Sequence, residues 1–287
     1  MKKIEPNMGL ATGGTDITIT GAWFMHLPEY GVFPFCKIGD TVVRAKYITS
    51  NRIICKTPPS FDTLAPSAIS VSLNGVDFHD TGFTFSFYEK PELIDMQPRS
   101  SNIEGGTEIW LKGTKFSNIG ASSGNSMKSM RCRFKQIIDN TSPDFDEDNI
   151  PTKYVPAFFI NNETMKCASP SGWDGGDQVK VDLTFNGVDY TEASFTLSFY
   201  TIFGSFPKSG PADATSSNIQ IKGKGFRKDS AILCSINNME VPPVSVKFNV
   251  IKCPMVLATW PADKYESVPF SIVIDGSKKE FENFHYY

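Results

Sequence analysis

The sequence predicts an all-β chain of three tandem sandwiches, each built from two packed sheets. Three observations predict it: a strand-like block that recurs along the chain, an Asn-Gly or Asp-Gly turn at the matching place in every copy, and one pair of cysteines per copy.

The recurring block comes first, because a missed repeat misreads the whole fold. Gly13-Gly14-Thr15-Asp16-Ile17-Thr18-Ile19-Thr20-Gly21-Ala22-Trp23-Phe24 returns as Gly105-Gly106-Thr107-Glu108-Ile109-Trp110-Leu111-Lys112-Gly113-Thr114-Lys115-Phe116. Pro6 and Pro98 stand at the same offset. A weaker third copy, preceded by Pro207, runs Ser217-Asn218-Ile219-Gln220-Ile221-Lys222-Gly223-Lys224-Gly225-Phe226 and lacks the Gly-Gly. Within each block polar and apolar residues alternate, the period of a strand with one wet and one buried face.

The turn block follows in each unit: Asn74-Gly75, Asn186-Gly187 and Asp275-Gly276, each ahead of an aromatic alternation. Those alternations are Phe83–Tyr88, Phe195–Tyr200 and Phe284–Tyr287. Asn-Gly or Asp-Gly between alternating runs is a hairpin signal, because both residues tolerate positive φ. No stretch keeps a helical period. The units are read as 1–91, 92–201 and 202–287. Their junctions, Glu89-Lys90-Pro91 and Thr201-Ile202, are unlike flexible Gly/Ser linkers, so a semi-rigid rod is expected.

The cysteines pair by unit: Cys36 with Cys55, Cys132 with Cys167, Cys234 with Cys253. Three disulfides in an oxidising compartment are the expectation, with buried free thiols as the alternative. The second pair is the most widely spaced, 35 residues against 19. Unit two therefore carries an insert near 137–154. It holds Asp144, Asp146, Glu147 and Asp148 and the Asn140-Thr141-Ser142 sequon; Asn162-Glu163-Thr164 follows close by. Asn140 and Asn162 are glycosylation candidates. Asp144, Asp146 and Asp148 are candidate contacts on a solvated loop without the EF-hand pattern for calcium.

These residues together resemble the IPT/TIG domain, an immunoglobulin-like module of the plexin/transcription-factor type. The shared pattern is Gly-Gly-Thr-x-Ile-x-Ile-x-Gly-x-x-Phe, then Cys, then Ile-x-Cys-x-x-Pro, then Asn-Gly-Val and an aromatic strand. The resemblance covers nearly the whole chain and is weakest in unit three. It implies an early-set immunoglobulin-like fold, tandem copies of which occur in cell-surface receptors such as plexins. It supplies no catalytic residue and no cofactor.

Composition narrows the function. The 287 residues carry a net charge of −3, which gives no electrostatic pull towards nucleic acid. No apolar run approaches the ~20 residues of a membrane helix, and no signal peptide is visible. His26, His79 and His285 are scattered, so no metal or catalytic cluster is expected. Trp173, in the turn-rich Ser171–Gly176, is a candidate exposed contact. The expected function is a non-enzymatic adhesion module of a larger cell-surface or extracellular protein. It would engage a protein ligand through loops or sheet edges. An intracellular filamin-like scaffold and a carbohydrate-binding accessory stay open as alternatives.

Overall fold

The structure, a computed structural model of the chain, describes residues 1–60, 62, 63, 65–117, 130–138, 149–211, 218–255 and 266–287. Those residues form an all-β chain of three sandwiches, whose only helix is a single 3-10 turn at Pro28–Tyr30. No helix among them is long and apolar enough to cross a membrane.

Unit one shows the plan. One sheet runs in the order Lys3–Glu5, Asp16–Thr20, Arg52–Lys56, Lys46–Thr49. The other runs Met8–Leu10, His79–Tyr88, Ser67–Ser72, Phe35–Ile38, Thr41–Arg44. After a cis proline, Pro6, the chain leaves the first sheet and joins the second, where Met8–Leu10 pairs parallel with the aromatic strand. The same crossing follows cis Pro98 and cis Pro207. Alternation sends Ile17, Ile19, Ile53, Ile69, Phe85 and Phe87 into the gap between the sheets, where all are buried. Each is worth ~1.5–3 kcal/mol against leaving it wet.

Each disulfide bolts one sheet to the other through this core. Cys36 lies on Phe35–Ile38 and Cys55 on Arg52–Lys56, and the bond joins them. Cys132–Cys167 and Cys234–Cys253 repeat the arrangement, and all six sulfurs sit in buried residues. Each bond contributes ~2–4 kcal/mol by restricting the unfolded chain.

Two parts of the repeat motif turn out to be partners. A Cβ on Gly13 would meet the backbone of Pro58 and Pro59 at 2.6 Å, and one on Gly105 would meet Ser171 at 2.7 Å. The Gly-Gly therefore answers the proline that follows the second cysteine. Likewise Gly21, Gly113 and Gly223 leave room for the rings of Phe24, Phe116 and Phe226, three residues on.

The turn block differs from the expected hairpin. Only Asp275-Gly276 is a two-residue turn with both φ positive. In units one and two the loop is longer and only Gly75 and Gly187 have positive φ. There the Asn side chain organises the loop: Asn74 Oδ1 accepts from the Val76 and Asp77 amides, and Asn186 Oδ1 from those of Val188 and Asp189.

These turns are also where the units meet. Asn186 Nδ2 donates to the Met8 carbonyl at 3.1 Å, and Thr15 Oγ1 donates to Asp189 Oδ2 at 2.7 Å. Tyr88, the last residue of unit one's aromatic strand, is 1 % exposed and packs in the core of unit two, beside Phe185. The second joint repeats this. Ser100, equivalent to Met8, donates to Asp275, and Tyr200 packs in the core of unit three beside Phe226. The Thr201-Ile202 junction is a continuous strand: Phe195–Phe206 runs through it, pairing first within unit two and then with Asn218–Lys224 of unit three.

Candidate binding face

Unit two has an exposed row of side chains that strand register assembles. Glu108–Thr114 alternates exposed and buried residues, so Ile109 and Leu111 point inward and Trp110 outward. Trp110 stands opposite Lys166 on Thr164–Ala168, and Lys166 stands opposite Phe158 on Thr152–Asn161. Trp110 is 39 % and Phe158 51 % exposed, with Ile160 close by at 46 %. Lys166 Nζ lies 5.5 Å from the Trp110 ring centroid and 2.8 Å from Glu108 Oε1. Such a pair at the surface is worth well under 1 kcal/mol and leaves Lys166 free to turn to a ligand.

The row borders a cavity of about 760 Å³ between units two and three. Trp110, Lys112 and Thr164 line one side; Ala231, Asp275 and Gly276 line the other. Trp110 and Lys112 thus face the groove from unit two, while the Asp275 carboxylate opposite already accepts from Ser100 and the Ala231 amide.

A second row, Tyr154–Arg133–Asp182, lies on the other sheet of unit two. It is already satisfied. Arg133 grips Asp182 through Nη2 at 2.6 Å and Nε at 2.9 Å, and the Tyr190 ring covers the guanidinium at 3.7 Å. Burial pushes the Asp182 carboxyl above the usual carboxylate range, and Arg133 only partly offsets it. Its charges are already paired, which leaves Tyr154, 50 % exposed, as the part open to a partner.

Trp173 is not an exposed contact. It is 5 % exposed, packed 5.8 Å from the Phe199 ring and roofed by Lys153 Nζ at 4.4 Å. Lys153 is held there by the carbonyls of Ser171 and Gly172, so the glycine-rich segment folds over the tryptophan rather than presenting it. Asn162 is exposed, at the turn between the Phe158 and Lys166 strands. Asn140, Asp144, Asp146 and Asp148 lie outside the described residues. His26, His79 and His285 are exposed, and the described residues hold no group of three metal ligands. The signal for the Trp110 row was present in the alternation around Ile109 and Leu111; its partners Lys166 and Phe158 needed the register.

A family model described as the IPT/TIG domain matches residues 1–87, 91–199 and 201–286. Plexin-A3 of Mus musculus is 23 % identical over 230 residues, which are 78 % of this chain and 11 % of that protein. Fibrocystin-L of Homo sapiens is 29 % identical over 122 residues, 41 % of this chain and 3 % of that protein. The chain thus spans about a tenth or less of the length of these relatives. Among solved structures, the full extracellular region of plexin A4 aligns with 96 % of this chain and 21 % of its own, at 15 % identity and a TM-score of 0.40.

Proposed function

Because the chain belongs to the IPT/TIG domain family, we propose that it is a non-enzymatic adhesion or receptor module of a larger extracellular or cell-surface protein. Its protein ligand is held on the outer sheet of unit two. The observation that carries this is the exposed Trp110–Lys166–Phe158 row beside the groove at the second joint. Large exposed aromatics flanked by charge are the composition of an interface centre.

Three bonded cysteine pairs support the oxidising compartment and weigh against the filamin-like scaffold. The family's tandem copies in cell-surface receptors support it as well.

The test is surface plasmon resonance of the full chain against a panel of receptor ectodomains, with a glycan array in parallel. A protein hit that the double variant Trp110→Ser/Phe158→Ser reduces at least tenfold, with Trp173 fluorescence and melting unchanged, supports the reading. A hit indifferent to that variant moves the site elsewhere. Hits on glycans alone would replace a protein ligand with a sugar.

A further inference from the structure

The outer sheet of unit three carries charge of one sign. It is made by the far half of Phe195–Phe206 with Asn218–Lys224, Val250–Pro254 and Ser245–Lys247, and none of these strands holds an aspartate or glutamate. Alternation buries Ile219, Ile221, Ile251 and Cys253 and turns Lys222, Lys224, Lys247 and Lys252 outward. Among the described residues none of these four lysines forms an ion pair or a hydrogen bond. Lys222 stands ~7 Å from Lys224 along its strand and ~10 Å from Lys247, two strands over. Like charges still repel at such distances in physiological salt, and the face favours an anion.

The same sheet is balanced in the other units, and the register shows where the difference arises. Glu92, Asp95 and Glu108 of unit two correspond to Thr201, Gly204 and Asn218 of unit three. Thr114 and Asn161 correspond to Lys224 and Lys247, while Lys112 and Lys166 correspond to Lys222 and Lys252. Unit two pairs Lys166 with Glu108, and unit one pairs Lys56 with Asp16 and Lys3 with Glu5. Unit three has kept the lysines, added two more and lost the carboxylates. In unit two Lys112, Thr114, Asn161 and Lys166 remain exposed or half-buried although another unit follows. The openness of these positions therefore belongs to the sheet and not to the end of the chain.

We propose that this face binds a polyanionic polysaccharide laid across its strands. Lysines are point charges, and no arginine fork stands among them to grip a single carboxylate or phosphate. Arg227, just beyond the second strand, is taken up by Asp229 and Ser198. A flat grid of point charges matches a polymer that repeats its charge. Two exposed rings border the sheet and offer apolar area to sugar rings: Phe203 at the strand bulge and Phe248 at the turn between Ser245–Lys247 and Val250–Pro254. An extended acidic peptide would add to a strand edge instead, and the edge strand here is three residues long and follows Pro242-Pro243. The net charge of −3 hides this face, because the acids lie on other strands and loops. The Trp110 row takes no part in it, so either reading can fail alone.

Binding of the full chain to heparin, with polyglutamate and neutral dextran as comparisons, tests it. The expected result is binding to heparin that weakens roughly 50- to 150-fold from about 50 to 200 mM salt, as four lysine contacts that release counterions require. The triple variant Lys222→Gln/Lys247→Gln/Lys252→Gln should bind about tenfold or more weakly and with a shallower salt dependence. Lys2→Gln/Lys46→Gln/Lys180→Gln removes the same charge elsewhere and should bind as wild type, as should Trp110→Ser/Phe158→Ser. No binding to heparin at about 50 mM salt overturns the proposal. So does an equal loss in the two triple variants. Polyglutamate held as tightly as heparin hands the face to an acidic protein and overturns it as well. The substituted lysines all lie at the surface, so a variant with an unchanged melting curve reports on the contact and not on folding.

Discussion

The two internal joints solve one problem differently. At the second, the strand Phe195–Phe206 passes from one sandwich into the next without a break, and its backbone bonds cross the boundary. At the first, His79–Tyr88 ends, Glu89-Lys90-Pro91 intervene, and Glu92–Gln97 begins afresh. From Tyr88 to Leu93 the chain spends more residues than from Tyr200 to Ile202, its counterpart, and the surplus includes a proline that has no amide to give a ladder. The first joint relies instead on side-chain pegs: Asn186 on Met8, Thr15 on Asp189, Lys90 on Glu192. A joint made of backbone is indifferent to most substitutions; a joint made of pegs is only as good as each side chain.

The largest blow falls on what the joints share. Tyr88→Ala and Tyr200→Ala each empty a buried ring site, and each is expected to cost ~3–5 kcal/mol. The loss should appear in the melting of the following unit, two and three respectively, by hydrogen exchange of their core strands. Loss from the unit that carries the tyrosine would refute the view that the ring belongs to its neighbour.

High pH acts on both joints next, since burial also holds the Tyr88 phenol well above its ordinary range. Burial pushes the Tyr200 phenol up to about 12 from 10.0, a Ser277 hydrogen bond opposes the rise, and Asp275 adds to it. Below pH 10 the phenol is neutral whether the chain is folded or not, and its contribution is full. Between pH 10 and 12 the unfolded chain ionises first, so stability falls by ~2–3 kcal/mol. Denaturant titrations of wild type and Tyr200→Phe at pH 8 and 12 should differ by that amount, and Tyr200→Phe should lack this part of the loss.

Removing a peg should matter at the first joint alone. Asn186→Ala leaves the Met8 carbonyl without its donor and is expected to cost ~1–3 kcal/mol. Asn74→Ala breaks the same turn bonds in an exposed loop and should cost less than half as much. Equal losses would mean that Asn186 serves only its own loop.

The smallest contrast is a single hydroxyl. The Tyr88 hydroxyl is buried with no hydrogen-bond partner among the described residues, whereas Ser277 bonds that of Tyr200. At pH 7 Tyr200→Phe should cost ~1 kcal/mol and Tyr88→Phe should be neutral or stabilising, read as shifts in denaturant midpoint.

Much of this was legible before any coordinates. The alternation Ile17-Thr18-Ile19 and the cysteines two by two are local signals, and they carry the sandwich and its bolts. The joints were not legible, because they are made by residues 102 to 178 positions apart. Asn186 looks like any turn asparagine until Met8 is beside it. Thr201-Ile202 reads as a junction because a repeat boundary falls there; that one strand carries the chain across it shows only in the pairing. Trp173 was misplaced by its glycine-rich setting: Lys153, from the far side of the insert, supplies the roof. The binding face was half visible, since Trp110 must point outward if Ile109 and Leu111 point inward.

The cross-sheet disulfides have a mechanical consequence. Each closes a loop of 19 or 35 residues, so a chain pulled from its ends cannot pay out the length inside those loops. Tension must first find the pegs of the first joint, which slip singly, while the continuous strand of the second bears load along a row of bonds. Stretched with the disulfides intact, the molecule should yield early between units one and two and stay stiff between two and three.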